Sequence, residues 1–171
     1  MGCSFTLSGI PRDCEGAPGG IKRMLVIDHA LRGTYTHENN VISAIKPAEG
    51  AKFAEINFPH NSAKLTSTLA VGDAGNRTFN AAVEMNMGKL TATKMMQIQA
   101  LLLGDYAVIV EGYDGQYWAA GFDGVPMTAT DGAPTTGMAT TDSQSTPATL
   151  SENETHLPYN VDPSIVAELV K

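Results

Sequence analysis

The chain is poor in several features, and each shortage removes a class of function. No stretch approaches the roughly 18 to 20 consecutive apolar residues that a membrane helix needs. Arg12, Asp13 and Glu15 interrupt the N-terminus where the apolar segment of a secretory signal would have to run. The protein is therefore expected to be made in the cytoplasm. Cysteine is nearly absent: Cys3 and Cys14 are the only two, too few for a disulfide scaffold or an all-cysteine zinc site. Free thiols are the expectation, with a single clip between them the alternative. Positive charge is also scarce, with 11 Lys and Arg against 18 Asp and Glu and a formal net charge of -7. Adhesion to nucleic-acid phosphates or to an anionic membrane needs clustered cations, so both are disfavoured.

Catalytic signatures are missing as well. His29, His37, His60 and His156 fall in separate turns or loops, none at the i, i+4 spacing of a helical zinc motif. No Gly-x-Ser-x-Gly elbow and no Gly-x-x-x-x-Gly-Lys-Ser/Thr phosphate loop occurs. Asp105, Glu111, Asp114 and Asp123 crowd one region but lack the regular acidic ladder of a calcium loop, and read as a solvated hairpin tip. Gly2, Cys3 and Thr6 fit a loose acylation pattern, yet no polybasic patch supplies a second anchor. The sequence thus gives no support for an enzyme, a cofactor or a metal site.

What is present is enough for one domain: 171 residues, of which 43% are hydrophobic. A Gly- and Pro-punctuated arm spans 1–19, and a single β-rich domain spans 20–171. Met24, Leu25, Val26 and Ile27 form a continuous apolar run of strand length, the pattern of a strand buried on both faces. Val41, Ile42, Ala44 and Ile45, then Phe53, Ile56 and Phe58, read as short strands closed by Pro47 and Pro59. Thr91 is placed to cap a helix through Leu101, Leu102 and Leu103, ended by Gly104 in a left-handed cap. Residues 106–110 and 117–120 flank Asp114 and Gly115 as a second hairpin that packs with this helix. The Thr-, Ala- and Gly-rich stretch near 127–149 reads as exposed, holding at most a weak hairpin. Asp162 and Pro163 start a short C-terminal helix that needs something to dock on.

The strongest pattern spans 65–87. Leu65, Ser67, Leu69 and Val71 alternate with polar residues, and after an Asp73, Ala74, Gly75 turn Phe79, Ala81, Val83 and Met85 alternate with Asn80, Glu84 and Asn86. Period two on both arms specifies a long hairpin with one apolar face. A domain of this size has little core to cover so long a face, so a neighbouring copy is expected to cover part of it. Leu65, Leu69, Val71, Phe79, Val83 and Met85 are then the assembly residues, and Glu84 lies on the polar face. Tyr113, Tyr117 and Trp118 are candidate interface aromatics or, in a different class of function, a sugar-stacking platform.

These features occur in a recognisable order. Gly19, Gly20, Ile21 and Lys22 close the arm; Gly50, Ala51, Lys52 and Phe53 follow; then come the long hairpin, the helix, and Gly104 to Val110. Asp114 with Gly115, Tyr117 with Trp118, and Leu157, Pro158, Tyr159, Val161 and Asp162 complete the series. In that order, over almost its whole length, the chain resembles tail-tube-like virion proteins of tailed phages infecting Bacteroides-like bacteria. The resemblance implies a mainly β (α+β) fold: a β-sandwich or partial barrel with a long hairpin, one packed helix and a short C-terminal helix. It also implies a homo-oligomeric ring, expected as a hexamer, whose stacked copies form the tail tube of the virion next to other tail or neck proteins. DNA would pass as a non-adhering passenger, with Glu84 a candidate for the negative lumen. A single-ring neck or tail-barrel protein of a short-tailed phage is the near alternative, and a β-sandwich module binding a glycan or host receptor the distant one.

Overall fold

A computed structural model describes residues 6–170. The fold is mainly β, with eleven strands in one mixed, open sheet and two helices. The strands are β1 (Ile21–Asp28), β2 (Thr34–Glu38), β3 (Val41–Lys46), β4 (Ala54–Asn57), β5 (Ala63–Val71), β6 (Arg77–Asn86), β7 (Asp105–Gly112), β8 (Tyr117–Ala120), β9 (Met127–Gly132), β10 (Pro147–Glu154) and β11 (Tyr159–Val161). Helix α1 (Ala92–Leu103) lies between β6 and β7, and α2 (Pro163–Leu169) ends the chain.

Strands β1 and β7 organise everything else. They pair antiparallel with Leu25 opposite Ile109 and Val26 opposite Val108, and each carries an unbroken apolar run, Met24 to Ile27 and Ala107 to Val110. Side chains alternate across a strand, so an unbroken run must find apolar partners on both faces. One face carries Met24, Val26, Val108 and Val110 into a cluster with Ala81, Val83, Met85, Ala148 and Leu150 of β6 and β10, and with Leu101 of α1. The other carries Leu25, Ile27, Ala107 and Ile109 into a cluster with Ile42, Phe53, Phe122, Val161, Val166 and Leu169. The chain is therefore a layered, open β structure with two cores and one shared sheet between them.

The path through the sheet runs β2, β3, β11, β8, β7, β9, β10, β6, β5, with β1 and then β4 branching from β7. Among the described residues β5 pairs only with β6, β2 only with β3, and β4 only with β1, which leaves three edges open. All pairings are antiparallel except β11 with β3. The partner strand of β3, β2, went unread in the sequence because Thr34–Glu38 holds a single large apolar side chain, Tyr35. Three-residue β11 was missed because it is shorter than any alternation pattern can register.

Four expectations need correction. Gly104 caps α1 with its N–H on Ala100 O, but in extended conformation (φ -100°, ψ 172°) rather than left-handed, because the chain turns directly into β7. Helix α1 buries only Ile98 and Leu101, leaving Met96 and Leu103 exposed, and it rests on the end of β9, where Leu102 closes over Gly132. The C-terminal helix does find a groove in its own chain, with Val166 and Leu169 buried in the second cluster. Nor is 127–149 wholly exposed: Met127, Thr146 and Ala148 are buried, because the strands at its two ends pair and carry core positions. The Thr- and Ala-rich composition came from the loop between them, where 135–144 lies mostly on the surface.

Core and hairpin tip should respond differently to the same truncation. Leu150→Ala removes a fully buried side chain and is expected to cost about 2 to 5 kcal/mol. Leu69→Ala, at a position 52% exposed, should cost under about 1 kcal/mol in the dilute chain. Urea denaturation of both variants beside the parent at one low concentration checks this. Equal losses would mean that the tip packs within its own chain.

Candidate functional site

The long hairpin forms with the alternation expected of it. Leu65 faces Val83, Ser67 faces Ala81, and Leu69 faces Phe79 across β5 and β6. The turn closes through a Gly72 N–H to Asn76 O bond of 2.8 Å, with Ala74 at φ 61°, a left-handed position that costs alanine some strain. Val83 and Met85 belong to the first core, Leu65 packs against it, and Phe79 is half-buried. Beyond them the core ends, and Val71 is 65% exposed at the tip. The hairpin thus projects apolar side chains past anything the described residues supply, beside the edge of β5 that none of them pairs. On the opposite face Glu84 and Lys64 pair at 3.1 Å, each about half exposed, so the charge of Glu84 is partly neutralised by its neighbour.

The three aromatics do not share one surface. Trp118 stands on the face of Val110 and lines a cavity of about 400 Å³ with Gly20, Lys64, Ser67, Asp114 and Pro158. Tyr117, its neighbour in the strand, points the other way, packs on the second core and lies 3.5 Å from Arg23 Nη2. Tyr113 bonds His60 through its hydroxyl at 3.1 Å, and its ring sits close over Gly20. A sugar platform built from all three is therefore not formed. Within the cavity, the Ser67 hydroxyl is enclosed and has no hydrogen-bond partner.

The acidic residues assigned to a solvated hairpin tip are corrected here. Asp114 is exposed, but Glu111 is buried and bound by Arg23 Nε, with Lys22 at 3.5 Å and with Arg23 Nη1 reaching on to Glu55 at 3.4 Å. Asp123 lies on the bend between β8 and β9, where three of the histidines gather around it. Its carboxylate accepts from the Tyr35 hydroxyl and the His156 Nε2–H, and its carbonyl is 2.8 Å from His29 Nε2. His156 stacks on Tyr159 at a ring distance of 4.1 Å, and the His37 ring lies tilted against it at 4.7 Å. Sequence spacing could not reveal this group, since its members come from β2, the turn after β1, the bend after β8 and the segment after β10.

The geometry fixes the charge of the pair. His156 Nδ1 faces Leu157 O at 2.8 Å while Nε2 faces Asp123, so both ring nitrogens meet acceptors and the doubly protonated ring is favoured. Burial pulls the His156 pKa down, but the bonds to Leu157 and Asp123 outweigh it and hold the value above the usual histidine range. For Asp123 burial acts upward, and the Tyr35 and His156 bonds outweigh it and hold the carboxyl below the usual range. The imidazolium stabilises the fold fully below about pH 6.5, and that contribution is lost as pH rises through its raised folded value. The carboxylate contributes above about pH 4, lost as pH falls through its lowered value. The ion pair is complete between the two folded values.

Among the described residues no group of three or more His, Cys, Asp and Glu side chains is arranged to hold a metal ion. No helix among the described residues is long and apolar enough to cross a membrane. Compared with known proteins, the chain matches no family model, no curated protein and no solved structure.

Asp123→Asn keeps the shape and removes the charge. The His156 pKa, followed by its ring proton shifts in an NMR titration, is expected to fall toward or below the ordinary value. An unchanged titration would show that Leu157 O alone holds the proton.

Proposed function

We propose that this chain is a virion structural protein that assembles with copies of itself into rings, stacked as the tail tube through which phage DNA passes. The observation that carries it is the β5 and β6 hairpin: Leu69 and Val71 are exposed beyond the core at the tip, next to an edge strand whose outer side no other described strand pairs. An apolar tip beside an open, nine-residue edge is a pairing surface, and a second copy in a closed ring satisfies both at once. The arm adds to this, for Leu7 and Ile10 are each 86% exposed. Cys14 in the same arm is exposed, while Cys3 lies outside the described residues.

In this reading the partners are further copies and neighbouring tail or neck proteins, the site of action is the virion tail, and the net charge of -7 keeps DNA from adhering. Glu84 stands on the outward face of β6 beside Lys64, so a lumenal role would need it to act with other acidic residues of the ring. A second reading has one observation in its favour. The cavity beside Trp118, with Lys64 and Asp114 at its wall, has the mixture of ring face and polar groups that a glycan takes.

Negative-stain electron microscopy of the purified protein tests the assembly: rings or tubes are expected. Leu69→Glu with Val71→Glu should leave a folded monomer and abolish them, read by sedimentation and circular dichroism. A parent that stays monomeric at all concentrations and binds oligosaccharide would overturn the reading in favour of the glycan module. Loss of residues before Gly19 should likewise leave the fold intact and weaken assembly.

A further inference from the structure

Strand β10 carries Ala148 and Leu150 into the first core and then, on the same face, Glu152 and Glu154. Both glutamates are buried, at 5% and 3% exposure. Their carboxyls converge on one hydrogen: Gly121 N–H donates to Glu152 Oε1 at 2.5 Å and to Glu154 Oε1 at 3.0 Å. The second oxygen of each has no hydrogen-bond partner. A buried carboxylate left without donors is strongly destabilising, and two of them side by side repel. A proton on one carboxyl removes a charge and supplies a donor for the other.

We propose that Glu152 and Glu154 share a single proton at neutral pH and act as a proton-linked latch, which fastens the end of β10 to the Gly121 corner and loosens as pH rises. The corner is built for the contact. Gly121 has φ 76°, a left-handed conformation that favours glycine, and a Cβ there would stand 2.6 Å from Tyr106 O. That backbone aims its N–H at the two carboxyls, joining the β6 and β10 layer to the bend that leaves β8.

The groups facing the pair bias it in one direction. Strand β10 continues to His156, whose Nδ1 lies 4.0 Å from Glu154 Oε2. Asp123 of the bend and Tyr159 of β11 act on the pair by charge; around them, Tyr35 of β2 and His29 of the turn after β1 bond Asp123, Arg32 of the same turn bonds Phe122 O, His37 of β2 packs on Tyr159, and Tyr106 of β7 lies against Gly121. Across the ladder, β6 presents only Phe79 and Ala81 opposite Glu154 and Glu152. His156 already pairs with Asp123, so among the described residues its single charge cannot compensate Asp123 and a doubly ionised pair together. Burial, then the bond to and charge of Glu154, push the Glu152 pKa up to about 10.

The sign follows from linkage. A carboxyl whose folded pKa lies above its unfolded value of about 4.3 stabilises the fold fully below that value, and its contribution is lost progressively as pH rises toward the folded pKa. Between about pH 6 and 9 the folded chain then holds about one proton more than the unfolded chain at this pair, a tenfold loss in the folding equilibrium constant per pH unit.

Two measurements on the full chain test the latch. Infrared spectra of the parent in D2O at about pH 7.5 are expected to show the carbonyl stretch of a protonated, buried carboxyl, absent in Glu152→Gln. Urea titrations between about pH 6 and 9 at one protein concentration should give a parent whose stability falls with pH, and a Glu152→Gln variant whose slope is flatter by about one proton. Glu154→Gln serves as a second variant should the first not fold, with the same flattening expected. No protonated-carboxyl band in the parent, or a slope unchanged in a variant that folds, overturns the proposal.

Discussion

Double-sided burial of β1 and β7 is the constraint from which the rest of the structure follows. A sheet exposed on one face needs one apolar layer, whereas these strands need two. The chain must therefore supply β6, β10 and α1 on one side and β3, β11, the Phe53 and Phe122 rings and α2 on the other. That demand explains the order of elements. The hairpin and β10 close one side, while β3 near the N-terminus and β11 with α2 at the C-terminus, far apart in sequence, meet to close the other. Closing this second layer holds both ends of the domain, from β1 onward and through α2, in one packed unit.

The same constraint sets what could be read in advance. Unbroken runs such as Met24 to Ile27 and sustained alternation such as Leu65 to Met85 state the environment of each residue locally, so their strands were legible. So was Thr91, whose hydroxyl accepts from Lys94 N–H at 3.3 Å, and Asp162, whose side chain caps α2. Strand β2 and the groove for α2 were not, because each depends on a partner supplied by a distant segment. The Asp123 cluster was hidden for the same reason: its histidines look unrelated until β2, the bend after β8 and the end of β10 are brought together.

Strand β10 shows how a pattern can be present and still pass unread. Ala148, Leu150, Glu152, Glu154 and His156 stand at period two, so the first two fix the direction of the rest. Polarity conceals this, since from Ser151 onward both faces of the strand carry polar residues. A register argument from Leu150 would have turned both glutamates inward, against the ordinary preference of carboxylates for water. The alternation of β5 and β6 was visible only because its two faces differ in polarity.

What distinguishes the hairpin from the rest of the sheet is that its pattern outlasts its core. Apolar alternation on β5 and β6 continues through Leu69 and Val71, while the opposing layer ends near Ser67 and Ala81. A monomer gains nothing from those last apolar positions, since an exposed leucine or valine on an edge hairpin contributes little burial and invites pairing. The docking of α2 removes one earlier reason to look for a neighbour, because that helix is satisfied within its own chain. In the proposed assembly the contacts therefore concentrate in the hairpin tip, the β5 edge and the arm. The outward face of the same hairpin is polar, with Thr66, Thr68 and the Lys64 and Glu84 pair, so a copy docking at the tip and edge would leave that face in water. An oligomer built this way has one sheet surface fixed by apolar contacts and the other free to line a solvent space, which is the division a conduit requires.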